Sequence, residues 1–127
     1  MRMNFQHLGL TVAEESDIRE FYQDILKMDI QREFTLNRRQ ARQIFNEDRD
    51  IKIVVGTIGD LSVELFMADE KCKTVCEHVC ISVADRQAVI DACQANNFPI
   101  TIIERKPFDI VFIRDKTGNL FEIKEEE

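Results

Sequence analysis

Two histidines and two glutamates at repeated positions are the residues of this sequence most suited to chemistry. His7 and His78 are the only histidines, and they open similar segments, His-Leu-Gly-Leu-Thr-Val-Ala and His-Val-Cys-Ile-Ser-Val-Ala. Each half then ends on an alternating apolar segment with one internal carboxylate, Glu64 in the first half and Glu122 in the second. Imidazole and carboxylate together suit Zn, Ni, Fe, Co or Mn. The pattern predicts one divalent-metal site built from a duplicated module.

The elements that must position these side chains are strands, because apolar and polar residues alternate around both glutamates. Side chains at i and i+2 of a strand lie on the same face of a sheet. The four candidate ligands therefore lie on one face, where a mid-strand carboxylate needs a counter-charge such as a divalent ion. The opposite face is uniformly apolar and is expected to pack against helices. Its residues are Leu8, Leu10, Val12, Leu61, Val63, Leu65, Met67, Val79, Ile81, Val83, Phe121 and Ile123.

The first half is predicted to have the order β-α-β-β-β. Residues 18–26 carry apolar side chains at helical spacing, and Ser16 is predicted to cap that helix. Residues 37–50 are polar and rich in arginine, and we expect them to be irregular. The predicted strands are 5–12, 28–36, 51–57 and 61–67.

The second half is predicted to repeat that order, with a helix that begins at Asp85 and ends near Asn96. Pro99 indicates that the strand after this helix lies at a sheet edge. The chain is thus expected to be one α+β domain with a first module (1–68), a linker (69–76) and a second module (77–127). The predicted strands of the second half are 77–83, 98–104, 108–114 and 120–124.

Length and charge limit the classes of function. The 127 residues are 44% hydrophobic and 32% charged, which is ordinary for one globular domain. The net charge of −7 disfavours a nucleic-acid partner, because phosphate binding needs a basic face. No segment resembles a signal peptide or is long and apolar enough to cross a bilayer, so a cytoplasmic protein with no membrane partner is expected.

The four cysteines, Cys72, Cys76, Cys80 and Cys93, all lie in the second half. Without a secretory signal they are expected to be reduced. Cys72, Cys76, His78 and Cys80 form an alternative cluster for a structural zinc ion. However, residues 76–80 are predicted to be strand, whereas zinc-binding cysteine pairs usually lie on turns. Apolar packing is the simpler role for these thiols.

Three segments together resemble the vicinal oxygen chelate superfamily, which includes glyoxalase I, fosfomycin-resistance proteins and extradiol dioxygenases. The first is Phe5-Gln-His-Leu-Gly-Leu-Thr-Val12, followed by the helix with Phe21-Tyr22. The second is Glu77-His-Val-Cys-Ile-Ser-Val83, and the third is Asp115-Lys-Thr-Gly-Asn-Leu-Phe-Glu122, which is similar to the superfamily's Asp-Pro-x-Gly-Asn-x-x-Glu. The resemblance covers nearly the whole chain. It implies two β-α-β-β-β modules that pair into a cup-shaped mixed sheet with helices on the outside.

The resemblance also implies which residues act. Carried over position by position, the metal ligands are His7, Glu64, His78 and Glu122, as in glyoxalase I. A six-coordinate ion would keep two adjacent positions for substrate oxygens and stabilise an enediolate as a Lewis acid. Glu64 and Glu122 are then the candidate catalytic bases for proton transfer between neighbouring carbons. The expected protein is a divalent-metal-dependent lyase or isomerase that acts on a small oxygenated substrate.

Two other functions of the same superfamily stay open at this point. The first is a metal-free module that binds a small molecule or an antibiotic, as resistance-type members do. The second is an isomerase similar to methylmalonyl-CoA epimerase, although those enzymes usually carry Gln at the position of Glu64. Oxygen chemistry is disfavoured, because iron(II) oxygenases use two histidines and only one carboxylate.

Substrate recognition and assembly are also left open. Many glyoxalase I sequences carry an Arg four residues after the first His, which binds the glutathione carboxylate, whereas this chain has Thr11. Arg38, Arg39 and Arg42 are candidates to bind an acidic substrate through bidentate guanidinium contacts, and a solvated basic loop is the alternative. The cup closes either within one chain or across a homodimer, and the resemblance favours the homodimer.

Overall fold

Two four-stranded sheets with the same strand arrangement form the framework of the computed structural model, which describes residues 5–69 and 76–126. A short π-helix follows the first strand, and the two α-helices, α1 and α2, belong to the first and second halves. The elements in chain order are β1 (Leu8–Val12), the π-helix (Ile18–Gln23), β2 (Asp29–Leu36), α1 (Arg38–Phe45), β3 (Ile51–Ile58), β4 (Leu61–Met67), β5 (Val79–Val83), α2 (Arg86–Ala95), β6 (Ile100–Ile103), β7 (Ile110–Arg114) and β8 (Leu120–Glu125).

Both sheets are mixed and have equivalent topology. The strand orders are β1-β4-β3-β2 and β5-β8-β7-β6, with β1 parallel to β4 and β5 parallel to β8. The other neighbours are antiparallel. The predicted α+β fold with two repeated strand modules is confirmed, and β6 lies at a sheet edge as Pro99 indicated. Most of the predicted linker, residues 70–75, lies outside the described residues, so the division into modules at 69–76 stays a prediction.

The strand boundaries differ from the prediction at the two histidines. β1 begins at Leu8 and β5 begins at Val79, so His7 and His78 immediately precede their strands rather than lying inside them. Strand pairing begins one residue after each histidine: Leu8 is the first residue of β1 paired with β4, and Val79 is the first residue of β5 paired with β8. Each imidazole therefore stands at the open end of a parallel strand pair.

The prediction that residues 37–50 are irregular was wrong, because Arg38–Phe45 form α1. Asn37 caps this helix, since its Oδ1 accepts a hydrogen bond from the Gln40 N–H at 2.9 Å. Ala41 is the buried residue of α1, and Asn46 ends it in the left-handed conformation. This helix has few apolar residues, and its formation depends on the capping residue and on the sheet beneath it.

The first predicted helix is also different, because Ile18–Gln23 form a π-helix and Ser16 does not cap it. Asp24 N–H donates to the Arg19 carbonyl and Leu26 N–H to the Phe21 carbonyl, at 2.9 and 3.0 Å. These i→i+5 bonds widen the turn. The second predicted helix is confirmed, since the Asp85 side chain accepts from Ala88 N–H at the start of α2. None of the helices described is long and apolar enough to cross a membrane.

Both sheets pack their apolar faces into one shared hydrophobic core. The Phe21 ring of the π-helix lies 5.0 Å from the Phe98 ring and 5.6 Å from the Phe121 ring, measured between centroids. The predicted apolar faces supply this core with residues such as Val63 from β4 and Ile123 from β8. Because the apolar faces meet in this core, the opposite faces, which carry Glu64 in the first sheet and Glu122 in the second, point away from it. Each of these is called the ligand-bearing face below.

A buried polar network joins the turn before β8 to the first half of the chain. Asp115 Oδ1 accepts from the N–H groups of Gly118 and Asn119, each at 2.8 Å. Its Oδ2 accepts from the Tyr22 hydroxyl and from Asn119 Nδ2, also at 2.8 Å. Asn119 Nδ2 lies 2.6 Å from the Thr11 carbonyl oxygen on β1. The network therefore fixes β8 relative to β1 and the π-helix.

Asp17 is a second buried carboxylate beside this network. Its Oδ2 accepts from the Lys116 N–H at 2.8 Å, but its buried Oδ1 has no hydrogen-bond partner among the described residues. Burial, with a further contribution from Asp115, raises the pKa of Asp17 to about 6. Ionised Asp17 is therefore a destabilising feature of the folded chain at neutral pH.

We expect Asp17→Asn to change the pH dependence of stability. Because the pKa of Asp17 rises from 3.8 to about 6 on folding, the native state binds the proton more tightly. The wild-type free energy of unfolding should then rise, relative to the variant, as pH falls through about 6 towards 4, by at most about 3 kcal/mol. Urea unfolding at several pH values measures this difference. Asp24→Asn, at an exposed carboxylate after the π-helix, is the control; a curve for Asp17→Asn parallel to wild type would contradict the expectation.

Candidate functional site

His7 and Glu64 form the first half-site, on the ligand-bearing face of the first sheet. β1 runs parallel to β4 with Gly9 opposite Glu64, so the imidazole two residues earlier stands beside the carboxylate. His7 Nδ1 lies 3.0 Å from Glu64 Oε2. The side chain of Glu64 is only 16% exposed, whereas that of His7 is 48% exposed. The Glu64 carboxylate is thus largely buried against the sheet, whereas the His7 imidazole is half exposed just before β1 begins.

His78 and Glu122 form the second half-site, on the second sheet. β5 runs parallel to β8 with Cys80 opposite Glu122. His78 Nε2 lies 3.6 Å from Glu122 Oε1, and His78 Nδ1 lies 2.9 Å from the carbonyl oxygen of Cys76. The imidazole also packs edge-to-face on the Phe112 ring. The Glu122 side chain is 20% exposed and the His78 side chain is 39% exposed. As in the first half-site, the glutamate is more buried than the histidine.

The two half-sites have the same register. In each one, the histidine comes two residues before the strand residue whose Cα is paired with the glutamate. Within residues 5–69 and 76–126, the imidazole of its own half is the only basic group within 4 Å of either carboxylate. Each half-site therefore offers one nitrogen and one oxygen donor and no permanent counter-charge, a donor set that fits a divalent transition metal.

The structure brings the predicted ligands together in pairs, and the pairs stay apart. No group of three or more His, Cys, Asp or Glu side chains able to hold a metal occurs in the part of the chain that is described. The shared core explains this separation, because the apolar faces of both sheets lie against it and the half-sites lie on the opposite faces. A single copy of the chain therefore presents two separate His–Glu pairs.

Two cavities adjoin the second half-site. The first, of about 270 Å³, lies between residues 8–11 of β1 and residues 77–79, so His78 lines it. The second, of about 310 Å³, is lined by Glu122, by strand residues near it and by Arg105 and Phe108 of the loop between β6 and β7. The carboxylate and imidazole of this half-site thus each border space in which a small ligand fits.

The cysteines near the site are free thiols. Cys80 is exposed on the ligand-bearing face, opposite Glu122. Partial burial and the nearby Glu122 carboxylate raise the pKa of the Cys80 thiol, so it stays protonated and weakly nucleophilic at neutral pH. Burial raises the pKa of Cys93 to about 11. Cys72 lies outside the described residues, and with it one ligand of the alternative zinc cluster.

The arginine-rich segment contributes less free charge than its sequence suggests. Arg38 forms a bidentate ion pair with Asp48, at 2.6 and 2.9 Å, and Arg42 lies 3.6 Å from the same carboxylate. Hydrogen bonding from Arg38 lowers the pKa of Asp48. This contact favours the structural alternative for Arg38, because its guanidinium already binds a carboxylate of the chain.

The contribution of α1 to the ligand-bearing face of the first sheet was missed by the sequence analysis. The helix places the Phe45 ring 5.0 Å from the ring of Phe66, which follows Glu64 by two residues on β4. The available signals were the capping residue Asn37 and the i, i+4 spacing of Ala41 and Phe45. Neither signal indicates which face of the sheet such a helix covers.

Comparison with solved structures shows the same fold at low sequence identity. FosX, a genomically encoded fosfomycin resistance protein from Listeria monocytogenes, superposes with a TM-score of 0.75 and 14% identity over 100% of this chain and 96% of that chain. A mutant FosX from the same organism, complexed with Mn(II) and 1S,2S-dihydroxypropylphosphonic acid, gives 0.74 and 14% over 98% and 93%. The trypanothione-dependent glyoxalase I of Leishmania major gives 0.73 and 20% over 98% and 88%.

Comparison of the sequence itself gives the family. A search of curated proteins found no match. The model of the Glyoxalase/Bleomycin resistance protein/Dioxygenase superfamily matches residues 4–123, which include both half-sites and the whole of both sheets up to Ile123 of β8. The predicted relationship to the vicinal oxygen chelate fold is thereby confirmed, and the chain belongs to the Glyoxalase/Bleomycin resistance protein/Dioxygenase superfamily.

Proposed function

We propose that this protein is a divalent-metal-dependent enzyme of the lyase or isomerase type whose site is completed by two copies of the chain. His7 and Glu64 of one copy and His78 and Glu122 of the other would hold the ion. The observation that carries the proposal is the equivalent geometry of the two His–Glu pairs, at 3.0 and 3.6 Å and in the same register. Each pair supplies half of a four-ligand set.

The ligand set determines the chemistry that the site supports. Two imidazoles and two carboxylates would hold a divalent ion and leave room on it for oxygens of a substrate. A bound divalent ion supplies Lewis acidity, which polarises those oxygens and acidifies the adjacent C–H group. The protein must then supply a base at that C–H group, within hydrogen-bond reach of the proton.

Glu64 and Glu122 are the side chains proposed for that role. Both carboxylates are largely buried, and each faces the imidazole of its own half. A carboxylate in this position accepts a proton from one carbon and delivers a proton to the neighbouring carbon, so the net reaction neither consumes nor releases a proton. The histidines keep the carboxylates on the ligand-bearing face while this transfer occurs.

Pairing of two copies follows from the direction of the ligand-bearing faces. Both apolar faces are buried in the shared core of one chain, so the half-sites lie on the opposite faces, where α1 covers part of the first sheet and the remaining surface can receive a second copy. A two-fold axis that places the first half-site of one copy against the second half-site of its partner does so twice, because such interfaces are self-complementary. A homodimer would therefore contain two complete sites.

The solved relatives support a small-molecule metal enzyme without identifying the substrate. FosX was solved with Mn(II) and a dihydroxypropylphosphonic acid, and the Leishmania protein is a trypanothione-dependent glyoxalase. We propose a small oxygenated substrate for this chain as well. Glutathione is disfavoured as its carrier because Thr11 replaces the arginine that the resemblance associates with the glutathione carboxylate.

We expect purified wild-type protein to contain about one divalent metal per chain, since each site of a symmetric dimer draws one half from each copy. The double variant His7→Ala/Glu122→Gln should lose the metal, because it removes one donor from both half-sites. Elemental analysis of protein without a polyhistidine tag, supplemented with Ni, Zn, Co, Mn or Fe(II), measures both. Asp24→Asn, at an exposed carboxylate away from the half-sites, should keep the full content.

Absence of stoichiometric metal from wild type after all five supplements would overturn the metalloenzyme and leave a metal-free ligand-binding cup. If metal is bound, the next assay is a panel of 2-oxoaldehyde–thiol adducts, acyl-CoA epimers and epoxides. Solvent deuterium incorporation next to a carbonyl group reports proton transfer directly. Glu64→Gln and Glu122→Gln should each lower that rate by about a hundredfold or more.

Mixing two inactive variants tests whether the site spans two copies. His7→Ala/Glu64→Gln destroys the first half-site, and His78→Ala/Glu122→Gln destroys the second. Neither variant alone should bind the metal, but after unfolding and refolding together at equal amounts, the mixture should bind about a quarter of the wild-type amount, because half of the dimers are mixed and each regains one of two sites. No recovery would place the site within one chain.

A further inference from the structure

The first half-site has an aromatic wall beside it, formed by Phe66 of β4 and Phe45 of α1. Phe66 comes two residues after Glu64 on the same face of β4. A Cβ atom placed on Gly9 would lie 3.0 Å from Phe66 Cε2, so the Phe66 ring covers the glycine that stands opposite Glu64. The ring therefore lies over Gly9 on the same face as Glu64, and a side chain at position 9 would press against it.

A small second core holds this wall in place. Its buried residues are Ala41 of α1 and two residues of β3, and Phe66 packs against them. Phe45 contacts the Phe66 ring edge-to-face, with the centroids 5.0 Å apart and the planes at 64°. Phe45 is still 46% exposed, so part of the aromatic surface is open at the rim of the half-site. The second core lies on the ligand-bearing face of the first sheet, apart from the shared core.

The second half-site has a different surface at the equivalent positions. Cys80 stands opposite Glu122 where Gly9 stands opposite Glu64, and Lys124 follows Glu122 where Phe66 follows Glu64. Lys124 is exposed, and Phe112 packs on the His78 ring from β7 rather than from the strand of Glu122. The two halves thus share the His–Glu pair, but the residues at these equivalent positions beside the pair are apolar and aromatic in the first half and polar in the second.

We propose that Phe66 and Phe45 determine substrate specificity by binding an apolar, planar substituent carried next to the metal-chelating oxygens of the ligand. The inference depends on the proposed metal site, because the chelating oxygens place the substituent against the wall. Aromatic rings favour an aryl or similarly flat apolar group in offset or edge-to-face contact. A small polar substituent gains nothing from the same surface.

Two hydroxamates that chelate through the same two oxygens test this inference. Benzohydroxamate carries a phenyl ring and acetohydroxamate carries a methyl group, and calorimetry on protein loaded with Mn(II) or Ni(II) gives the affinity of each. We expect wild type to prefer benzohydroxamate by about tenfold, as one aromatic contact allows. Phe66→Ala and Phe45→Ala should each reduce this preference to about threefold or less, with the acetohydroxamate affinity and the metal content unchanged.

Ile44→Ala is the matched control, because Ile44 precedes Phe45 on α1, is 63% exposed and is not part of the second core. It should keep the wild-type preference. Phe66→Leu, which keeps apolar volume but removes the ring, should fall between wild type and Phe66→Ala. An equal loss in Ile44→Ala and Phe45→Ala would mean that the helix, not the ring, is responsible, and would overturn the inference.

Other outcomes separate the inference from the proposed function. Metal binding with an unchanged hydroxamate preference in Phe66→Ala overturns the inference alone. Failure of wild type to bind metal overturns the proposed function and the inference with it. If Phe45→Ala shifts the protein from dimer to monomer in sedimentation velocity without changing the preference, Phe45 contacts a second copy of the chain and the specificity role is wrong.

Discussion

Burial of both apolar sheet faces in one core is the constraint on which the arrangement of the site depends. The Phe21 ring contacts aromatic residues of the second half, Phe98 and Phe121, so the main core belongs to both sheets. A sheet with one apolar and one mixed face buries the apolar one, because removal of apolar surface from water is the largest favourable term in folding. The faces with His7–Glu64 and His78–Glu122 must then point outward and remain separate. The separation of the two His–Glu pairs is thus a direct consequence of how the chain folds.

Polar contacts define how the two halves of the chain are aligned around that core, because hydrogen bonds are directional and apolar packing is not. Asp115 and Asn119, both buried, connect β8 to Tyr22 and to the Thr11 carbonyl of β1. Both oxygens of the Asp115 carboxylate accept hydrogen bonds, Oδ1 within the turn and Oδ2 from the Tyr22 hydroxyl, and these contacts favour one relative position of the two halves. Asp17 is less well accommodated, since one buried carboxylate oxygen has no partner among the described residues. Asp17, beside the polar network that aligns β1 with β8, therefore lowers the free energy of unfolding when it is ionised, and this effect depends on pH.

The internal repeat conserves some features and varies others, and the difference is informative. Register, histidine offset and the largely buried glutamate are the same in both halves. The residues that flank the ligands differ, with Gly9 and Phe66 in one half and Cys80 and Lys124 in the other. The helix α1 belongs only to the first half, where it adds Phe45 and a second small core. Such a repeat keeps the two His–Glu pairs alike while the residues beside them differ.

The sequence by itself indicated the succession of strands along the chain, the α+β class and the apolar faces, because period-two alternation and an internal repeat are local signals. Its resemblance to the superfamily came from three motifs. It also predicted that each histidine accompanies one glutamate, which the register of β1 with β4 and of β5 with β8 now explains. It did not reveal α1, because most residues of this helix are polar and only a few apolar ones face the sheet. It did not reveal the π-helix either, because i→i+5 hydrogen bonds produce no distinct pattern in the sequence. Only the tertiary structure decided that the two ligand pairs lie apart in one chain and that Phe45 and Phe66 border one of them. Both results depend on which faces meet in the core, and a face is chosen by contacts between residues far apart in the sequence.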